Sequence, residues 1–504
     1  MRFREATLNR FAACLALGCL TLALRAALLP IWPIPVPSIY DEFSYLLQAD
    51  TFAHGRLTNP PHPMWQFFES LYIIQQPTYA SRYPPGQSLF MAAGQVLFGH
   101  PWFGVWLSCG LMAAALLWAL QAWVRGRWLL PGAAIILQLS FFPYWMNSYW
   151  GGAVAALGGA LVIGAWARLR SRPGAGLSSA LAVGAVLVVY TRPLEGLLLL
   201  IPVFLHLLVK RPEWLGFRIP VLLCGAVGAA LLGYYHFRVT GSPWRMPFAE
   251  YFAQYETVPK FAFQSLVPAN QRTFRHLDLE WIDKVWAFEA WQKARTWALF
   301  PMRLNDWRRI LSTTFGSSFW ILLLAVFSPR LYHSPRTRIP FIAALIVLGF
   351  SFTEVHFFAH YAAPFTALFL ILTVSAFRYL RTLSPYAAPA AALLLFGLIF
   401  GRDAEQIYRG RTPDRFYALN VRKPAIESQL ADLGGRHIIL VHYTQAKNPH
   451  EEWIYNGADL DGSTVLWAQD MGDEKNRELL SYFPGRKFWR FEPDESTDRL
   501  DPYP

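Results

Sequence analysis

Charged residues are scarce in this chain. Asp, Glu, Lys and Arg make up 15% of its 504 residues, whereas 54% are hydrophobic and the mean hydropathy is positive. That balance excludes an ordinary soluble enzyme of this length. Cysteine is scarcer still. Cys14, Cys19, Cys109 and Cys224 all lie in apolar runs, so no disulfide staples a polar segment and no metal-ligand spacing occurs. The polar C-terminal region carries no Walker loop, no GxGxxG and no CxxC, which leaves nucleotide and redox chemistry without a signature there. The net charge of +12 does not point to nucleic acid, because Lys and Arg are spread through short connections between apolar runs instead of gathering on one element.

What is present is a succession of apolar runs from residue 11 to residue 401. The pattern predicts about eleven membrane spans, at 11 to 31, 102 to 123, 129 to 147, 152 to 167, 177 to 191, 194 to 209, 219 to 237, 310 to 327, 339 to 353, 362 to 377 and 386 to 401. Basic residues mark every second connection: Arg125 and Arg127; Arg168, Arg170 and Arg172; Lys210, Arg211 and Arg218; Arg330, Arg336 and Arg338; Arg378 and Arg381. By the positive-inside rule those connections and the N-terminus are cytoplasmic. The run Gly86 to Gly99 is too short to cross and reads as an interfacial or re-entrant helix. Segment 32–101, the connections near 148, 192 and 357, the long loop 238–309 and the region after residue 401 are therefore expected on the outer face. Residues 1–401 form the expected transmembrane domain. Residues 402–504, polar and broken by Gly and Pro, read as a small soluble α/β domain with strands near 436–443 and 487–491 and a helix at 476–482.

Chemistry must then be sought at the outer edge. Asp41 and Glu42 follow a Pro-rich approach and open an amphipathic stretch, Phe43 to His54. An acid at that place serves as a helix cap, or as a general base beside a second acid. Arg82 precedes Tyr83-Pro84-Pro85-Gly86, and Arg192 lies in Thr191-Arg192-Pro193-Leu194-Glu195. Each guanidinium suits a phosphate leaving group, yet Arg82 could equally anchor to lipid headgroups and Arg192 could pair with Glu195. His356, His360 and Tyr361 crowd another outer connection, where the two His at i, i+4 could share a helix face without the acidic pattern of a metal site. Tyr149 and Trp150, in Asn147-Ser148-Tyr149-Trp150-Gly151-Gly152, offer sugar-stacking surface or simply a capped turn. Tyr251, Tyr255, Lys260 and Gln264 of the long loop suit sugars or the bilayer interface alike. Glu451, Glu452, Asp459 and Asp461 could bind sugar or an ion but read better as solvated loop acids.

Across residues 1 to about 400 the chain resembles the glycosyltransferase C superfamily, especially the branch of protein O-mannosyltransferases and lipid A aminoarabinose transferases. The likeness rests on Tyr40-Asp41-Glu42-Phe43-Ser44-Tyr45, Gly55, Tyr83-Pro84-Pro85 and the short helix ending Phe98-Gly99. It implies a catalytic carboxylate at Asp41, a donor-phosphate contact at Arg82 where relatives often carry Lys, interfacial helices in the first outer loop, and a polyprenyl-phosphate-linked sugar as donor. Where many relatives place a further acid in the second outer loop, this chain has Asn147 to Gly152.

The expectation is an inverting single displacement at the outer face of a cytoplasmic (inner) membrane. Asp41, helped by Glu42, takes the acceptor proton, Arg82 and Arg192 hold the phosphate, and no nucleotide or redox group is called for, while a divalent metal stays open. The rival is a transporter or flippase of lipid-linked saccharides. It fits less well, since transporters place ionisable groups near mid-membrane within inverted repeats.

Overall fold

Apolar segments without charged side chains close their hydrogen bonds within the backbone, and the chain is mostly helical as a result. In the computed structural model, residues 2–142, 144–210, 218–268, 271–315, 319–408, 419–443, 452–493 and 499–504 are described, so Arg211 and Glu451 lie outside the described residues. Five described helices have the length and hydropathy to cross a membrane: Asn9–Ala27, Trp102–Trp123, Gly126–Asn147, Ile219–Thr240 and Ala363–Leu380. Ala153–Leu169, Ala175–Thr191, Pro193–Val209, Arg338–Ser351 and Ala387–Leu398 are apolar and shorter. These are the helices of a multi-pass membrane protein. Gly86–Phe98 forms a 13-residue helix that Gly99 ends in the left-handed region, at φ 79°.

By its own contacts the chain divides into two compact units, neither continuous in sequence. The first comprises Met1–Ile34, Trp102–Leu231 and Ala294–Asp414; the second comprises Pro35–Pro101, Leu232–Lys293 and Arg415–Pro504.

In the first unit, helices approach until their backbones meet. A Cβ added at Gly158 would lie 2.9 Å from the Gly184 carbonyl oxygen, and one at Gly184 would lie 2.7 Å from the Gly158 oxygen. Lipid offers no hydrophobic drive for helix association, so close packing through small residues supplies much of it. The buried Arg25 organises one end of the first helix: its guanidinium donates to Trp32 O at 2.8 Å, Pro33 O at 3.1 Å and Asn147 Oδ1 at 2.9 Å. Asn147 in turn donates to Phe141 O and Phe142 O, satisfying carbonyls where helix Leu129–Phe141 ends.

The second unit contains the β-structure. Strands β1 (Ile73–Ile74) and β2 (Ala80–Ser81) form a short antiparallel hairpin. The C-terminal sheet has the order β4-β3-β5-β6, with β3 (His437–Val441) parallel to β4 (Val465–Gln469) and β5 (Lys487–Phe491), and β6 (Leu500–Pro502) antiparallel at the edge. β3 is buried at every position, as a central parallel strand covered on both faces must be. Its core is shared with the N-terminal segment: Leu47, Phe67, Phe68, Ile73 and Tyr79 pack in one cluster with Ile438, Leu440, Leu466 and Leu479.

The acids of this region correct the expectation of solvated loop residues. Glu452 is 1% exposed and accepts from the backbone N–H of Ile454 at 2.7 Å and of Leu71 at 3.1 Å. A carboxylate takes that place because two backbone donors need an acceptor away from water. Asp461 does stay exposed, beside His62 at 3.3 Å.

The helix contact at Gly158 and Gly184 leaves no room for a side chain. Replacing Gly184 with Leu is expected to destabilise the protein by about 1–3 kcal/mol. A lowered thermal-unfolding midpoint in detergent would register it, whereas Gly225→Leu, where no atom lies within 4 Å of an added Cβ, should leave the midpoint unchanged.

Candidate functional site

The acidic pair after the Pro-rich approach is divided by the start of its helix. Helix Tyr40–Ala53 begins after Ile39, so Asp41 lies in its first turn and is not the cap residue. Glu42 does the capping. Its Oε2 accepts from Ser38 N at 2.8 Å and Ile39 N at 3.3 Å, satisfying donors that a helix start leaves unbonded, and the side chain is buried. Asp41 turns the other way, and its Oδ1 accepts a short hydrogen bond from the Tyr83 hydroxyl.

Tyr83 is itself fixed on several sides. Its ring stacks on Tyr45 at 4.3 Å, its carbonyl accepts from Gln48 Nε2 at 2.9 Å, and Gln48 also donates to the Tyr235 hydroxyl at 2.6 Å. Burial and the neighbouring Asp41 raise the Tyr83 phenol well above its ordinary value, so it remains a donor.

Arg82, the preceding residue, is buried with its guanidinium carbon 3.2 Å from the Tyr72 ring centroid and within 5.3 Å of those of Phe248, Tyr251 and Tyr83. Its Nη1 donates to Glu256 Oε1 at 2.6 Å, while Nε has no hydrogen-bond partner. Burial works against this charge, but Tyr83, Glu256 and the other phenols outweigh it and hold the guanidinium well above its usual range. It is a fixed cation.

The backbone that presents Arg82 is unusual. Tyr72 has φ 65°, a conformation L side chains rarely adopt, and its carbonyl accepts from Arg82 N at 3.2 Å and Ser44 Oγ at 2.7 Å. Those bonds hold strand and helix together while the Tyr72 ring covers the guanidinium. On the opposite flank, Asp283 accepts from Thr257 N at 2.7 Å and Thr257 Oγ1 at 2.5 Å, which fixes the residue after Glu256.

The C-terminal segment grips the same helix. Tyr455 stacks on Phe43 at 4.6 Å, and Lys423 Nζ lies 5.2 Å from the Phe43 centroid while donating to Trp453 O at 2.8 Å and Tyr455 O at 3.1 Å. Ala458 N donates to Asp50 Oδ2 at 2.8 Å, and the Tyr79 hydroxyl donates to Asn456 O at 3.1 Å.

The other expected site residues belong to the first unit. Arg192 lies 4.4 Å from the Tyr361 ring centroid, and Trp150 packs 5.1 Å from His360. Tyr149 is buried. His356 and His360 do not share a helix face; they lie in an irregular connection between helices Arg338–Ser351 and Thr366–Leu380. Burial pushes His356 down to about 4 and His360 well below its ordinary value, with Arg303 and Arg192 respectively adding to the effect. Neutral His360 can therefore accept at Nδ1 from the Tyr144 hydroxyl, 3.1 Å away. Arg303, which the sequence did not mark, anchors this connection by donating to Glu354 O at 2.5 Å.

The structure thus brings Asp41, Tyr83 and Arg82 together in one unit, and Arg192, Tyr361, His360 and Trp150 in the other. Tyr251, in the long loop, joins the Arg82 surround. Glu256, Tyr72 and Lys423 were missed, for none stands in a motif and each acquires its role only through distant contacts.

The chain folds like ArnT from Cupriavidus metallidurans. The apo structure of that protein superposes with a TM-score of 0.55 at 14% identity, covering 98% of this chain and 94% of that one. The structure bound to undecaprenyl phosphate gives the same score and identity over 94% and 93%. The Archaeoglobus fulgidus oligosaccharyltransferase superposes with a TM-score of 0.46 at 11% identity over 95% of this chain and 69% of that one. No family model matches the sequence, and no curated protein matches it.

Lys423 gives this architecture a titration. Burial lowers its amine from 10.5 to about 8, so between those values the unfolded chain binds the proton that the folded one has lost. Stability from this group rises with pH across that window. Relative to Lys423→Met, the wild type should gain about 1–3 kcal/mol between pH 8 and pH 10, measured by chemical denaturation at matched ionic strength.

Proposed function

We propose that this protein is a glycosyltransferase that moves a sugar from a polyprenyl-phosphate-linked donor to an acceptor at the outer face of the membrane. The observation that carries this reading is the adjacency of Asp41, Tyr83 and Arg82: an oriented carboxylate one residue's reach from a buried, permanently charged guanidinium. A displacement at an anomeric carbon needs both, one group to take the acceptor's proton and one to bear the departing phosphate. The fold shared with ArnT, whose structure is known with undecaprenyl phosphate bound, supports the choice of donor class.

In the mechanism, Asp41 accepts the proton of an acceptor hydroxyl as that oxygen bonds to the anomeric carbon. The bond from that carbon to the phosphate oxygen breaks, the configuration inverts, and the polyprenyl phosphate leaves with the bonding electrons. Arg82 faces the new charge. Tyr83 orients the Asp41 carboxylate and Glu42 holds the helix start that carries it. In this reading the chain crosses a cytoplasmic membrane about eleven times with its N-terminus inside, and segment 32–101, the long loop and the C-terminal region lie in the periplasm or outside the cell. No metal is assigned; among the described residues no group of three or more His, Cys, Asp or Glu gathers as a metal site would.

The test is transfer of radiolabelled sugar from purified polyprenyl-phosphate donors by the reconstituted protein. Asp41→Asn should lose about 10²–10⁴-fold in rate with an unchanged unfolding midpoint, and Tyr83→Phe should lose about tenfold in kcat. Full transfer by Asp41→Asn would remove the carboxylate from the mechanism. Movement of labelled lipid between leaflets without transfer would replace the enzyme with a flippase.

A further inference from the structure

A second feature lies in the first unit and rests only on the multi-pass membrane reading, not on the proposed transfer reaction. A cavity of about 290 Å³ is lined by Trp123, Ser334, Arg336, Ser375, Arg378 and Tyr379, among others. Trp123 is the last residue of helix Trp102–Trp123, Ser375 to Tyr379 lie in the closing turns of helix Thr366–Leu380, and Ser334 and Arg336 belong to the connection between helices Phe319–His333 and Arg338–Ser351. Three chain segments far apart in sequence therefore converge on one recess at the end of the helices that carries Arg-rich connections.

The guanidinium groups at this recess, Arg336 exposed and Arg378 half-buried, have no anionic protein partner among the described residues. Among the described residues Arg336 and Arg378 make no ion pair or hydrogen bond through their guanidinium groups. No Asp or Glu occurs anywhere between Glu69 and Glu195, between Asp306 and Glu354, or between Glu354 and Asp403, so the three segments that form the cavity contain no carboxylate at all. The indole N–H of Trp123 is buried there without a hydrogen-bond partner, a state that costs free energy unless an acceptor arrives. The hydroxyl of Thr337, also on the lining, is already spent on Leu331 O at 2.6 Å. The dipole of helix Thr366–Leu380 favours a cation at Arg378, but it offsets only about half a charge and does nothing for Arg336 on the connection.

We infer that this cavity is a phosphate-binding site, filled by the headgroup of an anionic phospholipid from the cytoplasmic leaflet or by a free phosphate. Two guanidinium groups and an indole N–H, which can only donate, together with two serine hydroxyls that can donate, match tetrahedral phosphate oxygens. Trp123 and Tyr379 are residue types that settle at the headgroup level of a bilayer, and basic recesses between membrane helices on that side hold phosphorylated headgroups. The ligand would tie together three helix ends on the face where no catalytic residue is assigned.

The experiment uses full-length protein in phosphatidylcholine nanodiscs, with or without phosphatidylglycerol, or with inorganic phosphate added. Phenylglyoxal modification of individual arginines is read by peptide mass spectrometry. Phosphatidylglycerol should reduce modification of Arg336 and Arg378 at least about fivefold while leaving exposed Arg125 unchanged. Equal protection by inorganic phosphate in pure phosphatidylcholine identifies free phosphate as the source. If neither protects, or if Arg125 is protected as strongly as the other two, there is no such site. In native mass spectrometry after delipidation, the wild type should retain one phosphatidylglycerol, or one phosphate if that is the source. The Arg336→Gln/Arg378→Gln protein should retain none, and retention by that variant overturns the assignment.

Discussion

A buried guanidinium sets the terms for the second unit. Removing Arg82 from water is costly unless its charge is met on several sides, and the fold meets it with Glu256 and a ring of Tyr72, Phe248, Tyr251 and Tyr83. These partners come from the first loop and the long loop, more than 150 residues apart. Holding them together requires the hairpin β1–β2, the left-handed Tyr72 and the buttress of Asp283 on Thr257. The same constraint orients Tyr83, whose hydroxyl then reaches Asp41.

The C-terminal segment belongs to that arrangement and is no mere appendage to it. Its parallel sheet closes over side chains of the first loop, Glu452 bonds the backbone one residue before Tyr72, and Lys423 sits against Phe43, two residues after Asp41. An energetic reason accounts for the sharing. The two helices and short hairpin of segment 35–101 leave Phe67, Phe68 and Tyr79 to be covered by another layer, and a four-stranded sheet with few covering helices leaves one face in need of a partner. Each supplies the other's missing layer.

The helical unit follows a different logic, because lipid gives apolar side chains no reason to prefer each other. There the specificity comes from backbone approach at glycines and from the few polar groups inside. Arg25 and Asn147 illustrate it: one polar pair closes the end of the first helix and the break after Phe141. The turn at Asn147 to Gly152 thus has a structural explanation in its first residue, while Trp150 from this turn and Tyr144 just before it meet His360 from the connection after helix Arg338–Ser351.

Much of this protein was legible in its sequence. Runs of apolar residues announced helices, because a chain in hydrocarbon must satisfy its own backbone, and the short run at Gly86 and the strand of His437–Val441 were readable from length and composition. The acidic pair and the Arg82-Tyr83 turn also stood out, since such residues at a membrane edge have few inexpensive uses. Which acid did what was not legible: Asp41 and Glu42 are neighbours in the chain, and only the helix start decided that one caps and the other faces Tyr83. Nor did composition distinguish the buried Glu452 from the exposed Asp461, or place His356 and His360 off a helix. Local pattern determines which segments become helix or strand, because those hydrogen bonds are local. Pairings such as Arg82 with Glu256 depend on segments brought together by burial, and only the tertiary structure decides which charges then lose their water.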